Sequence, residues 1–68
     1  MTLDMDDVRK AHEEGIKLRS EIENIVYAKI LEINEDGTLW VEEVDKDIGV
    51  HKYNTPLEQI DGTFFIPQ

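Results

Sequence analysis

Val8, Ala11, Gly15, Leu18, Ile22 and Ile25 stand three, four, three, four and three residues apart. That spacing lays them along one stripe of an α-helix and predicts a helix over about residues 4–24. Asp4 suits the N-cap, and Asp6 and Asp7 fall in the first turn, where the helix dipole favours negative charge. Ile16 widens the stripe. Ala11 and Gly15 are small, which implies a close neighbour, and Gly15 weakens a helix by about 1 kcal/mol relative to alanine. The opposite face carries pairs four residues apart, among them Asp6 with Lys10, Lys10 with Glu14, Glu13 with Lys17, and Arg19 with Glu23. Each such pair contributes about 0.2–0.5 kcal/mol, so this face reads as a solvated, self-compensating surface.

Beyond it the pattern changes to that of strands. Residues 25–33 (IVYAKILEI) are rich in β-branched and aromatic side chains. Asn34-Glu35-Asp36-Gly37 is a turn, because Asp-Gly tolerates positive φ and apolar runs flank it. Residues 38–44 (TLWVEEV) form the returning strand. Asp45-Lys46-Asp47 is a second turn, and residues 48–53 a third strand, shortened by Gly49. Asn54-Thr55-Pro56 breaks the pattern, 57–60 make one helical turn, and 63–66 a last strand before Pro67. The predicted architecture is α+β: an N-terminal amphipathic helix followed by a small antiparallel sheet of three to four strands, in one domain. The sheet is an open meander or, strongly curved, an SH3-like small barrel.

Strict alternation puts Ile25, Tyr27, Leu31 and Ile33 on one face of the first strand together with Lys29, and Val26, Ala28 and Ile30 on the other. A strand apolar on both faces is central or is covered by a partner. One helix covers one face only, so the pattern predicts a homodimer or higher oligomer. Length points the same way. A chain of 68 residues buries only about 60% of the surface its unfolded form exposes, and small chains commonly add a disulfide, a metal or a partner subunit. Without cysteine, disulfides and thiolate metal sites are excluded. Internal packing or self-association remains.

No apolar run approaches the ~20 residues of a membrane span. The acidic start, with Asp4, Asp6 and Asp7, lacks the basic residues and apolar run of a secretory signal, so a cytoplasmic protein is expected. Catalytic chemistry finds no support. Ser20 is the sole serine and no cysteine is present, nothing in their spacing joins Ser20 to a histidine and an acid, and the four glycines are isolated. His12 borders the helix stripe and His51 falls in the third strand, where packing is the default role. Glu42, Glu43, Asp45 and Asp47 on one side, and Asn34, Glu35 and Asp36 on the other, miss the register of a calcium loop. Neither metal nor cofactor is expected, and the chain reads as no enzyme.

Charge carries the remaining signal. The net charge is −9, which repels nucleic acid and anionic membranes unless a basic patch forms locally. Residues 1–24 hold seven acids and four bases, 25–47 seven acids and two bases, and 48–68 two acids and one base. Within 32–47, Glu32, Glu35, Asp36, Glu42, Glu43, Asp45 and Asp47 face only Lys46. An extended strand would aim Glu43, Asp45 and Asp47 to one face at steps of about 6.6–6.8 Å, like the charges of a phosphate backbone. The bland alternative is a hairpin charged to keep its edge from aggregating. Trp40 lies inside this segment, either as the core anchor of the sheet or as an interface hot spot.

By size and charge, not by any motif, the chain resembles the short, acidic, non-enzymatic accessory proteins of phages and mobile elements. The resemblance implies an inhibitor acting as a nucleic-acid mimic on a host protein with a basic surface, without binding nucleic acid itself. Two alternatives stand beside it. One is a homo-oligomeric module holding a small ligand between subunits, with Trp40, Tyr27, Tyr53 and the two phenylalanines lining the pocket. The other is an accessory subunit docked through an apolar sheet face.

Overall fold

A computed structural model describes residues 3–67. Helix α1 (Met5–Glu14) is followed by strands β1 (Lys17–Ser20), β2 (Ile25–Ile33), β3 (Leu39–Asp45) and β4 (Gly49–Thr55). Helix α2 (Leu57–Thr63) and the short strand β5 (Phe64–Phe65) complete the chain. The sheet is antiparallel, in the order β4-β3-β2-β1-β5. The α+β architecture with an N-terminal helix is as the sequence predicts. The sheet has five strands rather than three or four, and it is not closed into a barrel.

The helix begins where expected. Asp4 accepts from the Asp7 N–H at 2.9 Å and Asp7 accepts from the Asp4 N–H at 3.2 Å, a reciprocal capping box. It ends at Glu14, ten residues short of the predicted limit. Gly15 takes the left-handed conformation (φ 66°), and the N–H groups of Gly15 and Ile16 turn back to the carbonyls of His12 and Ala11. Residues Ile16-Lys17-Leu18-Arg19 then alternate apolar and charged, which satisfies a two-residue period as well as a helical one. Leu18 is buried, but from a strand, and Ile22 is 53% exposed in the loop after it. The pairs expected beyond Gly15 are therefore not helical neighbours. On α1 the ion pair formed is Arg9 with Asp6, three apart and exposed, at 3.2 Å.

The core is built from one face of the sheet. Leu18, Ala28, Ile30, Leu39 and Val41 are buried together with Val8 and Ala11 of α1, Ile60 of α2, Phe64 and Leu3. The N–H of Leu3 donates to the Asp61 carboxylate, tying the start of the chain to α2. The other elements also shift from their predicted bounds. Strand β4 runs through Asn54 and Thr55, and Gly49 (φ 90°) closes the turn before it instead of shortening it. Helix α2 has seven residues, and β5 only two.

Two irregularities resolve the parity of β2. Its register with β3 shifts between Ile25 and Tyr27 and between Ile30 and Glu32. Val26 and Leu31 thus sit at bulges and drop out of the alternation. What remains is strictly two-sided: Ile25, Ala28, Ile30 and Ile33 on the core face, Tyr27, Lys29 and Glu32 on the other. The strand is not apolar on both faces, so this premise for self-association falls.

Leu18→Ala should cost about 2–5 kcal/mol, the range for a buried leucine, while Glu14→Lys, exposed at the last turn of α1, should change stability by less than about 0.5 kcal/mol. Urea denaturation measures both, and equal midpoints would place Leu18 outside the core.

Candidate binding surface

Register fixes what lies on the sheet face turned away from the core. Directly paired residues share a face, so the strands deliver cross-strand rows. Tyr27, Val44 and Val50 form an apolar row; Lys17, Lys29, Glu42 and Lys52 a charged one; Glu32, Trp40 and Asn54 a third. Arg19, paired with Phe65, extends the face toward β5. None of these side chains is buried. Tyr27, Val44 and Trp40 are half-buried, and Val50 is 60% exposed.

The charge of this face opposes that of the chain. It gathers four of the seven basic residues (Lys17, Arg19, Lys29, Lys52) against two acids (Glu32, Glu42). The other fourteen acids share the rest of the chain with Arg9, Lys10 and Lys46. The Lys17 ammonium lies 4.7 Å from the centre of the Tyr27 ring, a cation–π contact. The Lys29 Cε runs 4.0 Å from where a side chain on Gly15 would begin, so its stem passes over the end of α1. A linear reading finds no basic cluster beyond Arg9-Lys10, because the lysines of this row are brought together only by strand pairing.

The acids singled out from the sequence are dispersed. Glu35 and Asp36 lie in the β2–β3 turn, at the opposite end of the hairpin from Asp45 and Asp47. Asp36 accepts from the Thr38 hydroxyl at 2.6 Å and from its N–H at 2.9 Å, which holds its carboxyl below the usual aspartate range. Asp45 accepts from the N–H groups of Asp47 and Ile48 at 2.8 and 3.2 Å, closing the β3–β4 turn. Asp47 accepts from the Asn24 amide at 2.8 Å. β3 ends at Asp45, so Asp47 does not continue a strand row. Glu43 pairs with Ala28 and His51 on the core side. Only Glu32 and Glu42 share the open face, where Lys29 and Lys52 flank Glu42. Of the two roles open to Trp40, that of core anchor falls: it is half-buried on that face beside them, because the core positions of β3 are Leu39 and Val41.

A second polar group, missed in the sequence, sits where β3 and β4 turn inward. The Tyr53 hydroxyl donates to Glu43 Oε1 at 2.6 Å, and His51 Nε2 lies 3.4 Å from Glu43 Oε2. The His51 and Tyr53 rings stack at 5.6 Å, and His51 Nδ1 is buried without a hydrogen-bond partner. Burial, and then the hydrogen bond and charge of Glu43, raise the Tyr53 phenol above its ordinary range. His12, expected at the border of the stripe, places Nδ1 3.1 Å from the Ile30 carbonyl. A separate open cleft of about 470 Å³ lies between the β1–β2 loop and α2, lined by Ser20, Ile22, Asp61 and Phe64 among others. Among the described residues, no three His, Cys, Asp or Glu side chains are grouped to hold a metal ion, and no helix is long and apolar enough to cross a membrane.

Tyr53→Phe removes a hydrogen bond to a carboxylate that is 13% exposed and should cost about 1–2 kcal/mol near neutral pH. A phenol whose pKa is raised by folding contributes fully below its unfolded value of about 10, and that contribution is lost as pH climbs above it. The stability gap between the two proteins should therefore narrow in alkaline solution. Denaturant titrations across pH 8–11 check this, and a gap constant with pH would detach Tyr53 from Glu43.

Compared with known proteins, the chain matches no family model, no curated protein and no solved structure.

Proposed function

We propose that this is a non-catalytic binding module that docks a partner protein through the open face of its sheet. The observation that carries the reading is that face itself. Tyr27, Trp40, Val44 and Val50 lie uncovered beside four basic residues, in a chain whose remaining surface is acidic. Aromatic and apolar groups edged by charge are what a recognition surface needs: area to bury, and a charge pattern that sets register. The complementary partner presents acids opposite Lys17, Lys29 and Lys52, a base opposite Glu42, and an apolar strip against Tyr27, Val44 and Val50. A long polyanion suits the face less well, since Glu35, Asp36, Asp45 and Asp47 stand at the two hairpin ends and act within about a Debye length of 8 Å.

A second reading, inhibition of a basic, nucleic-acid-binding protein by an acidic surface, draws support from the charge outside the open face, where fourteen acids accompany three bases. The two readings use different sides of the molecule. A photo-crosslinking residue at position 40, 35 or 13, introduced one at a time, separates them in extracts of the native cell. Docking through the open face yields a crosslinked partner from position 40 that disappears when Lys29→Glu is added. Crosslinks from position 35 that persist with Lys29→Glu, with none from position 40, would assign binding to the acidic side and overturn the first reading.

A further inference from the structure

Strand β4 forms one edge of the sheet and pairs with β3 at seven successive positions without a register shift. Its outer side has no strand beside it among the described residues. Alternate peptide groups there are free to extend the ladder. Proteins usually blunt such an edge with proline, a bulge, a covering helix or inward charge. β4 (GVHKYNT) contains no proline and no bulge, and its one formally charged side chain, Lys52, lies on the open face. The opposite edge, β5, is two residues long and is followed by Ile66 and Pro67.

We propose that two copies of this chain associate edge to edge through β4, antiparallel and about a two-fold axis perpendicular to the sheet. Self-complementarity of the edge, where the exposed Val50 can meet the stem of Lys52, selects a second copy as the occupant, and charge restricts where that copy sits. Two molecules of net charge −9 repel at most orientations, and self-association needs a contact that carboxylates do not face. β4 is the long edge, and it carries none, whereas β3 carries Glu42, Glu43 and Asp45. Apolar surface selects the same place. Ile48 is 74% and Val50 60% exposed, two of the three large hydrophobic side chains that stand out in solvent among the described residues. An isologous contact uses each of them twice. Like charges directly opposite destabilise a strand pair, so the register centres on His51. That sets Val50 beside the stem of Lys52 of the second copy, whereas a register centred on Lys52 would oppose two ammonium groups. The two open faces then join in one continuous sheet face. The association uses the edge and not that face, so it stands or falls separately from docking of a partner protein.

Sedimentation equilibrium of the full chain across the micromolar range tests the proposal, with hydrogen exchange of the β4 amides followed over the same concentrations. The expected result is a monomer–dimer equilibrium in which alternate amides of β4 gain protection as concentration rises. Ile48→Ser with Val50→Lys should weaken the dimer by roughly tenfold or more, because the new ammonium at position 50 faces Lys52 of the second copy at both symmetric positions. Both positions are exposed, so the circular dichroism spectrum should be retained. A monomer at every concentration would overturn the proposal. So would a dimer whose β4 amides exchange at the same rate at all concentrations, and this wild-type measurement decides even if the double variant fails to fold.

Discussion

Leu18, Ala28, Ile30, Leu39 and Val41, packed under Val8 and Ala11, form the contact on which the other features depend. Each leucine, isoleucine or valine among them contributes about 1.5–3 kcal/mol when fully buried, and a chain this short has few of them. The helices supply one layer of cover, and that layer is spent on one face of the sheet. The central strands must therefore send their fully buried positions, Leu18, Ala28, Ile30, Leu39 and Val41, to the same side. β2 can do so only by looping Val26 and Leu31 out of phase, and the bulges follow from that demand. The other face is left to solvent, and its composition follows from that: lysines with long apolar stems, two acids, and aromatic rings that are half-buried by their neighbours rather than by a second layer.

Much of the fold is legible in the residues. The capping box at Asp4 and Asp7, the Asp36-Gly37 turn and the run from Leu39 to Val44 announce themselves through local chemistry, which a single chain segment contains entire. Gly15 is the instructive failure. Its three- and four-residue neighbours make a convincing helical stripe, yet the same stretch alternates with period two from Ile16 onward, and tertiary context decides between them. Once Leu18 pairs with Ala28, a left-handed glycine ends the helix at little cost, and the stripe is split between a helix, a strand and a loop.

The site was less legible than the fold, for a different reason. Acids at 32–47 are dense in sequence, but strand alternation and two turns send them to both faces and both ends of the hairpin. Lys17, Lys29 and Lys52 are sparse in sequence, but three strand pairings set them in one row. Linear density and surface density are therefore anticorrelated in this chain. The signal that could have found the row was the register itself. It depends on where the bulges fall, and Val26 and Leu31 do not differ in type from the residues around them. The Glu43, His51 and Tyr53 group was hidden in the same way, since it forms across a hairpin from residues that nothing in the linear sequence joins.

An uncovered aromatic face has a physical consequence for binding. Lys17 over Tyr27 shields part of the ring, but a cation–π contact at an exposed site is worth only about 0.5–1 kcal/mol, and a lysine stem repositions freely. Displacing it costs an incoming surface little. Burying an aromatic side chain removes about 150–250 Å² from water, and the Tyr27, Val44 and Val50 row, with Trp40 on the far side of the charged row, stands on one rigid sheet rather than on a loop. Their positions are set by main-chain pairing before any partner arrives, so little ordering entropy remains to be lost on contact. The small size that leaves this face uncovered thus also leaves it pre-organised, and the lysine row around it determines which surfaces can approach.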